Sequence, residues 1–225
     1  MTLDTVAANV SDLETSRLKA DLNADLKEAV LEARDLSFGY LNSKKIISDL
    51  NLIVRTNERV ALLAPSGRGK STLCKLLAGY LLPNKGSVLL DDKPLPQSGV
   101  CLVQMVWQHP EQALDPRMRM RQTLSESGVV SPELIESLGI RQKWLSRYPH
   151  ELSGGELQRF CLARVLAASP RFIIADEIST MLDALTQAQI WQVLIRECEK
   201  RRIGMVFVSH SAMLTKRIAT RTFKV

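Results

Sequence analysis

The stretch APSGRGKST, residues 64–72, has the residue types of a loop that binds phosphate. It follows the apolar run RVALLA and precedes the apolar run LCKLLAGYLL, so it is predicted to join a strand to a helix. Backbone N–H groups in such a loop bind phosphate oxygens, and the positive end of the helix dipole adds to the attraction. We expect Lys70 to reach the β- and γ-phosphates of a nucleotide and the Ser71 hydroxyl to bind Mg²⁺.

The first position of this loop departs from the usual pattern. The pattern G-x-x-x-x-G-K-[ST] has glycine where this chain has Ala64. An alanine costs little if its φ angle is negative, and on the order of 1 kcal/mol if φ must be positive. We therefore expect Ala64 to weaken the loop slightly at most. The loop residues predicted to bind the nucleotide are Ala64, Pro65, Ser66, Gly67, Arg68, Gly69, Lys70, Ser71 and Thr72.

The elements that must position this loop begin near residue 29. Short apolar runs rich in β-formers alternate there with longer helical stretches, which predicts an α/β domain. Several of the runs are apolar on both faces, as strands of a buried and mostly parallel sheet are. The predicted strands are VLEARDLSF, KIISDLNLIV, RVALLA, GSVLLD, GVCLVQMVW, RFIIAD, GMVFVS and ATRTFKV. The predicted helices are STLCKLLAGYLL, GELQRFCLARVLA and ALTQAQIWQVLIRECEKR.

Three regions of the chain differ in their residue pattern. Residues 1–28 lack a strand pattern and are predicted to be an extension that is either helical or disordered. Residues 29–225 are predicted to form one domain, and residues 109–162 within it a helical insertion without a buried strand. In the insertion, Ser131 is expected to cap a helix that begins at Pro132 and stops at Gly139.

Further motifs follow the loop in a characteristic order. VWQHP lies at 106–110, LSGGELQR at 152–159, FIIADE at 172–177, MLD at 181–183, and VFVSH ends at His210. With these motifs the chain resembles, over about residues 30–212, the nucleotide-binding subunit of ATP-binding cassette (ABC) transporters. The resemblance implies a P-loop NTPase core, an α/β fold with a mostly parallel sheet flanked by helices. It also implies an N-terminal antiparallel β part and an inserted helical subdomain.

The resemblance assigns roles to the polar residues that end the strands. Asp176, with Ser71 and Gln108, is expected to hold Mg²⁺, usually through water. Glu177 matches the glutamate that acts as general base or polarises the attacking water. Gln108 matches the glutamine that senses Mg²⁺ and the γ-phosphate, and His210 matches the histidine that contacts the γ-phosphate. The predicted catalytic residues are therefore Lys70, Gln108, Glu177 and His210.

An aromatic residue upstream of the phosphate loop stacks on adenine in this family. The tripeptide FGY offers two candidates, Phe38 and Tyr40. Tyr40 is preferred because it should stand where the strand breaks into a loop.

The motif LSGGELQR is expected to serve a second subunit. It opens a helix and presents N–H groups to an anion, but it lies far from Lys70 in the chain. The resemblance implies that Ser153, Gly154 and Gly155 contact the ATP bound by a second ABC ATPase, identical or different. It also implies that Asp183 crosses the interface between the two subunits.

The resemblance predicts the ATP-hydrolysing subunit of a membrane transporter. The segment MVWQHPEQALDPRM is most like the peptide and nickel importer branch, although His109 and Asp115 depart from it. The expected cargo is thus peptides, nickel or metal-chelates. The expected partners are transmembrane permease subunits and an extracytoplasmic substrate-binding protein. We expect the chain to lie at the cytoplasmic face of the membrane.

Two alternatives stay open from the sequence. One is a soluble ABC ATPase that acts on nucleic acid or ribosomes, although no nucleic-acid partner is expected and one cassette without a long coiled coil argues against this class. The other is a nucleotide-binding module that hardly hydrolyses. Ala64 favours it, as does Ile178, which stands where the family commonly has proline.

Composition and charge are compatible with the transporter prediction. The net charge is +6, and the basic run RMRMR at 117–121 has the pattern of a solvated face or a contact with an acidic partner or lipid. No apolar run is long enough to cross a bilayer, and residues 1–21 do not resemble a signal peptide. The four cysteines form no CxxC pair, which predicts buried free thiols rather than a metal site.

Overall fold

A computed structural model describes residues 28–40 and 45–225 of the chain. The predicted extension, residues 1–28, lies outside the described residues except for Glu28. The described chain forms two sheets, with helices between consecutive strands of the larger one.

The smaller sheet is antiparallel and has the strand order β2-β1-β4-β5. Leu31 and Ala33 of β1 point into the core while their neighbours are partly exposed, the alternation of a sheet with one covered face. This sheet is the antiparallel β part that the family resemblance predicted. Its strands are β1 (Val30–Phe38), β2 (Ile47–Arg55), β4 (Lys85–Leu90) and β5 (Lys93–Pro94), and the short β5 was not predicted.

The larger sheet is parallel and has the strand order β6-β7-β8-β3-β9. All residues of β7 and β8 are buried, which explains why these strands are apolar on both faces. Strand β6 is shorter than its predicted nine residues, because only four of them pair with β7. The strands are β3 (Arg59–Leu63), β6 (Val103–Val106), β7 (Phe172–Asp176), β8 (Gly204–Val208) and β9 (Arg221–Lys224).

Helix α1 follows the phosphate loop and stops before the predicted end of STLCKLLAGYLL. The chain turns at Gly79, whose φ is 77°, so Tyr80 and Leu82 lie outside the helix and are exposed. Helix α6 was not predicted. The helices are α1 (Lys70–Leu77), α2 (Met120–Ser125), α3 (Pro132–Ser137), α4 (Gly154–Ala167), α5 (Ala184–Arg201) and α6 (Ala212–Ile218).

Two apolar clusters cover the two faces of the parallel sheet. Ile173 and Ala175 of β7 belong to the cluster that contains α4 and α5. Phe172 and Ile174 alternate with them and belong to the cluster that contains α1 and the antiparallel sheet. The parallel sheet is therefore held between two layers, and its strand ends are placed rigidly.

Between β6 and β7 the chain is described throughout and forms helices and turns without a strand. The predicted cap is confirmed: Ser131 Oγ accepts a hydrogen bond of 3.2 Å from Leu134 N, Pro132 begins α3, and Gly139 has a φ of 64°. The boundaries 109–162 of a separate helical subdomain stay a prediction.

Candidate nucleotide-binding site

The register of the parallel sheet brings the predicted site residues to one edge. Asp176 ends β7 and pairs with Val208, which ends β8. Val106 ends β6 and pairs with Ala175 of β7. Because neighbouring parallel strands end together, the loops that follow them meet at the carboxyl edge, where α/β proteins bind ligands.

A cavity of about 360 Å³ lies at this edge, in front of the phosphate loop. Ile46 forms part of its wall beside the residues predicted from the sequence. The predicted residues that line it are Ser66, Gly67, Gly69, Lys70, Ser71, Thr72, Glu177 and His210. The structure thus places the phosphate loop and two candidate catalytic side chains around one space.

The loop needs glycine at two positions. Gly67 has a φ of 76° and Gly69 a φ of 86°, a region that residues with a Cβ atom rarely occupy. A Cβ atom on Gly69 would also collide with the Ile46 side chain. In contrast, φ at Ala64 is not positive, so alanine replaces the usual glycine there without strain of this kind.

Lys70 folds back across the loop. Its Nζ donates hydrogen bonds to Ala64 O at 2.8 Å and to Pro65 O at 3.2 Å. An ammonium group has three donors, so one remains for an anion in the cavity. Ala64 and Pro65 thereby orient Lys70, although neither they nor Arg68 line this cavity.

Glu177 is held through both of its carboxylate oxygens. Oε1 lies 2.8 Å from His210 Nε2, and Oε2 accepts a hydrogen bond of 3.3 Å from Gln108 Nε2. The three residues follow the ends of β7, β8 and β6. Glu177 itself has a positive φ of 49°, and its N–H donates to Val208 O at 3.2 Å. This backbone turns the carboxylate out of the strand and toward the cavity.

Asp176 has the properties of a cation ligand. It is only 4% exposed, and its Oδ1 has no hydrogen-bond partner among the described residues. Burial raises the pKa of Asp176, the neighbouring Glu177 charge adds to this, and the Ser71 hydroxyl lowers it. A divalent cation would offset the buried charge, so the residues fit Mg²⁺.

Protein side chains supply few ligands at this position. In residues 28–40 and 45–225, no three His, Cys, Asp or Glu side chains cluster as a metal site.

The two candidates for adenine stacking differ in burial. Phe38 is 7% exposed and belongs to the apolar core, whereas Tyr40 is 46% exposed and packs edge-on against Phe38 at 5.0 Å between ring centroids. Tyr40 is therefore the accessible ring of the pair. It does not line the cavity, and residues 41–44, which follow it, lie outside the described residues.

The residues of LSGGELQR lie outside the cavity that Lys70 lines. Ser153 caps α4, with Ser153 Oγ accepting from Glu156 N at 3.3 Å and Ser153 N donating to Glu156 Oε2 at 2.8 Å. Ser153 and Gly154 are exposed, and Gly155 lies close to the side chains of Leu182 and Thr186. Their role toward a second subunit stays a prediction.

Asp183 also serves the fold locally. Its Oδ1 accepts hydrogen bonds of 3.0 Å from Leu185 N and Thr186 N and caps α5. The Thr186 hydroxyl and these N–H groups lower the pKa of the Asp183 carboxyl. Asp183 does not reach the cavity of its own chain.

Some residues around the site carry no sequence signal. Ile46 lines the cavity although a single isoleucine near a strand start looks like any core residue. Ser179 and Trp191 likewise match no motif, yet they hydrogen-bond to each other behind Glu177. Spatial proximity alone identifies these residues.

Comparison with known proteins identifies the family of the chain. Residues 47–180, more than half of the chain, match the family model described as ABC transporter. The chain belongs to the ABC transporter family. Its phosphate loop and the strand that ends at Asp176 both lie within the matched residues.

Two relatives named for peptide transport match most of this ABC transporter family member. The putative oligopeptide transport ATP-binding protein YkfD of Bacillus subtilis is 32% identical over 93% of the chain, which spans 65% of YkfD. The peptide transport system ATP-binding protein SapF of Salmonella typhimurium is 31% identical over 85% of the chain, which spans 81% of SapF.

A solved structure confirms the fold. The ATP-binding cassette MJ0796, solved as a dimer in a post-hydrolysis state with ADP and Pi, superposes with a TM-score of 0.75. The overlap covers 87% of this chain and 94% of that one at 23% identity. The predicted P-loop NTPase fold is thus confirmed. Among the described residues, no helix has the length and apolar character needed to cross a bilayer.

Proposed function

We propose that the chain is the ATP-hydrolysing subunit of an ABC importer, with peptides as the cargo class. The observation that carries the proposal is Glu177, a carboxylate held by His210 and Gln108 at the rim of a cavity that the phosphate loop lines. The family match supports the nucleotide as ATP, and the names of YkfD and SapF support peptide transport.

The phosphate loop binds and orients the nucleotide in this proposal. Backbone N–H groups of residues 66–72 and the N-terminus of α1 attract the phosphates, and Lys70 turns its free donor toward them. Tyr40 stacks on the adenine, and Ile46 supplies an apolar wall. Ser71, Gln108 and Asp176 would hold Mg²⁺, which would neutralise phosphate charge when bound.

Glu177 is placed to receive the proton of an attacking water. Hydrolysis breaks the bond between the γ-phosphorus and the bridging oxygen, and water supplies the new P–O bond. His210 and Gln108 fix the carboxylate orientation, and its burial to 13% exposure limits competing water. The products are ADP and inorganic phosphate.

A second ATPase subunit completes the nucleotide site in this proposal. Ser153 and Gly154 are exposed at the start of α4, and the nearby segment around Asp183 carries Met181 at 71% and Leu185 at 70% exposure. Exposed apolar side chains beside the N-terminus of a helix favour a protein interface that includes an anion. We further propose permease subunits and a substrate-binding protein as partners, and a position on the inner membrane face; the family match supports the permease subunits.

Co-purification tests this function. The tagged full chain is isolated from detergent-solubilised membranes of its host, and bound proteins are identified by mass spectrometry while ATP turnover is measured. Transmembrane subunits of a peptide importer and turnover that Glu177→Gln abolishes support the proposal. Nickel or metal-chelate permeases would correct the cargo. Ribosomal or DNA-bound partners without a membrane protein would replace transport by the soluble alternative.

A further inference from the structure

The buried hydroxyl of Ser179 connects the segment after Glu177 to two side chains of helix α5. Ser179 is 6% exposed, and its Oγ accepts hydrogen bonds of 3.0 Å from Gln187 Nε2 and of 3.0 Å from Trp191 Nε1. Gln187 and Trp191 lie one helical turn apart on the same face of α5. Two donors from a rigid helix therefore converge on one acceptor.

The connected segment, residues 177–183, joins the catalytic strand end to α5. At its start, Glu177 O accepts from Thr180 N at 3.2 Å and from Thr180 Oγ1 at 3.0 Å. At its end, Asp183 caps α5. Ser179 anchors the middle. Because Glu177 has a positive φ of 49°, its backbone needs such support to keep its conformation.

Trp191 also contacts the strand that leads to His210. Its indole ring packs against Phe207 at 5.5 Å between centroids, with an angle of 64° between the planes. Phe207 belongs to β8, which ends one residue later, and His210 follows within two further residues. Trp191, itself 2% exposed, thus touches both peptide segments that supply the pair Glu177 and His210.

We propose that Ser179 and Trp191 are positioning residues that keep the Glu177 carboxylate between His210 and Gln108. They act through Glu177 and do not touch the nucleotide. The inference rests on the proposed ATPase function, since its consequence is a faster hydrolytic step. Loss of the Trp191–Ser179 hydrogen bond lets the segment shift, and small displacements of a catalytic group reduce turnover strongly.

Two conservative variants test the role. Trp191→Phe removes the N–H donor and keeps an aromatic ring against Phe207, and Ser179→Ala removes the acceptor. We expect each to lower kcat for ATP about five-fold or more, the effect of about one lost neutral hydrogen bond, with KM changed less than about two-fold. The double variant should be no slower than the slower single variant, because Ser179→Ala already removes the bond that Trp191→Phe removes, together with the one from Gln187.

Trp144→Phe is the matched control. Trp144 is also buried, at 5% exposure, but lies in the turn Gln142–Trp144, and its indole N–H donates no hydrogen bond to residues 177–183. It should lower the unfolding temperature about as much as Trp191→Phe while leaving kcat unchanged. In a Glu177→Gln background, Trp191→Phe should have no further effect on residual turnover, which a merely structural residue would still reduce.

The outcomes separate the two proposals. If the wild type hydrolyses ATP and Trp191→Phe behaves like Trp144→Phe, the positioning role is wrong and the proposed function stands. A parallel loss in kcat and nucleotide affinity would likewise overturn the positioning role. If the wild type hydrolyses no ATP with its partners present, the proposed function itself is wrong, and the positioning role with it. Should Ser179→Ala fail to fold, Trp191→Phe, which keeps the hydroxyl, decides the question.

Discussion

Glu177 Oε1 lies 2.8 Å from His210 Nε2, although 33 positions separate the two residues in the chain. The contact arises because β7 and β8 are paired in parallel and end together at Asp176 and Val208. Glu177 is the less exposed partner, at 13% against 54% for His210. A half-buried carboxylate is therefore oriented by a more accessible imidazole at the edge of the cavity.

Substitution of Glu177 or His210 should reduce ATP turnover more than it reduces nucleotide binding. Glu177→Gln removes the proposed general base and is expected to lower kcat at least about 100-fold, the smaller end of what general-base catalysis contributes. His210→Ala leaves Glu177 with one of its two partners and should also lower kcat. Steady-state kinetics and direct titration with a fluorescent ATP analogue separate the two effects. A Glu177→Gln protein with wild-type turnover would remove Glu177 from the site.

Replacement of Ala64 by glycine should change little. The φ angle at Ala64 is not positive, so Ala64→Gly relieves no backbone strain. The glycine only increases the conformational entropy of the unfolded chain, which lowers the free energy of unfolding by about 0.4–1 kcal/mol. We expect KM for ATP to change less than about two-fold. Gly67→Ala is the contrasting variant, since φ is 76° there, and should weaken nucleotide binding. A large gain of affinity in Ala64→Gly would show that alanine does impair the loop.

Asp176 should link metal binding to stability. Burial raises the pKa of Asp176 in the folded protein, so folding favours the protonated carboxyl. The protonated carboxyl therefore stabilises the fold at low pH, and this stabilisation is lost as the pH rises through the pKa of the folded state. At pH 7 without Mg²⁺, Asp176→Asn should raise the unfolding temperature, because it removes a buried charge; in a chain of this size each kcal/mol corresponds to about 2–4 °C. The difference should shrink as the pH is lowered.

The same variant should lose the stabilisation that Mg²⁺ with ATP gives the wild type. Calorimetric scans with and without Mg²⁺–ATP at several pH values measure both effects. An equal metal-dependent shift in Asp176→Asn would contradict a role in holding the cation.

Alanine substitutions at the two glycines of LSGGELQR should change the stability of the fold in different ways. A Cβ atom on Gly154 meets no atom within 4 Å, so Gly154→Ala should stabilise the fold by about 0.4–1 kcal/mol. A Cβ atom on Gly155 would lie 3.2 Å from Thr186 Cγ2 and 3.4 Å from Leu182 Cδ2, so Gly155→Ala should destabilise it relative to Gly154→Ala. Thermal unfolding ranks the two.

A second measurement addresses the interface. Both alanine variants should reduce ATP-dependent dimerisation in a Glu177→Gln background, measured by size-exclusion chromatography. Full dimerisation of both would argue against nucleotide contact by this motif.

The cysteines should differ in reactivity. Burial raises the pKa of Cys161 and of Cys198 to about 12, and raises the pKa of Cys74 well above its usual range. The thiolate is the reactive form, so these three should resist alkylation of the native protein at pH 8. The half-buried Cys101 should react first. Peptide mass spectrometry after iodoacetamide treatment checks this order, and denatured protein serves as the fully labelled control.

Much of the site was predictable because its chemistry depends on fixed spacing along the chain. The phosphate loop uses consecutive residues between a strand and a helix, and eight predicted residues do line one cavity. Helix α5 was predicted with its observed bounds, Ala184–Arg201, whereas the cap that Asp183 supplies was not part of the prediction. Helix α1 was predicted too long, because a positive φ at Gly79 ends it within an apolar run.

The sequence by itself determined the family, the phosphate loop and the residues at the strand ends, because each depends on local order along the chain. Only the tertiary structure decided that Glu177 contacts both His210 and Gln108, that Tyr40 is accessible while Phe38 is buried, and that Ser179 joins Trp191. The physical reason is that strand register and core packing set distances between residues far apart in the chain.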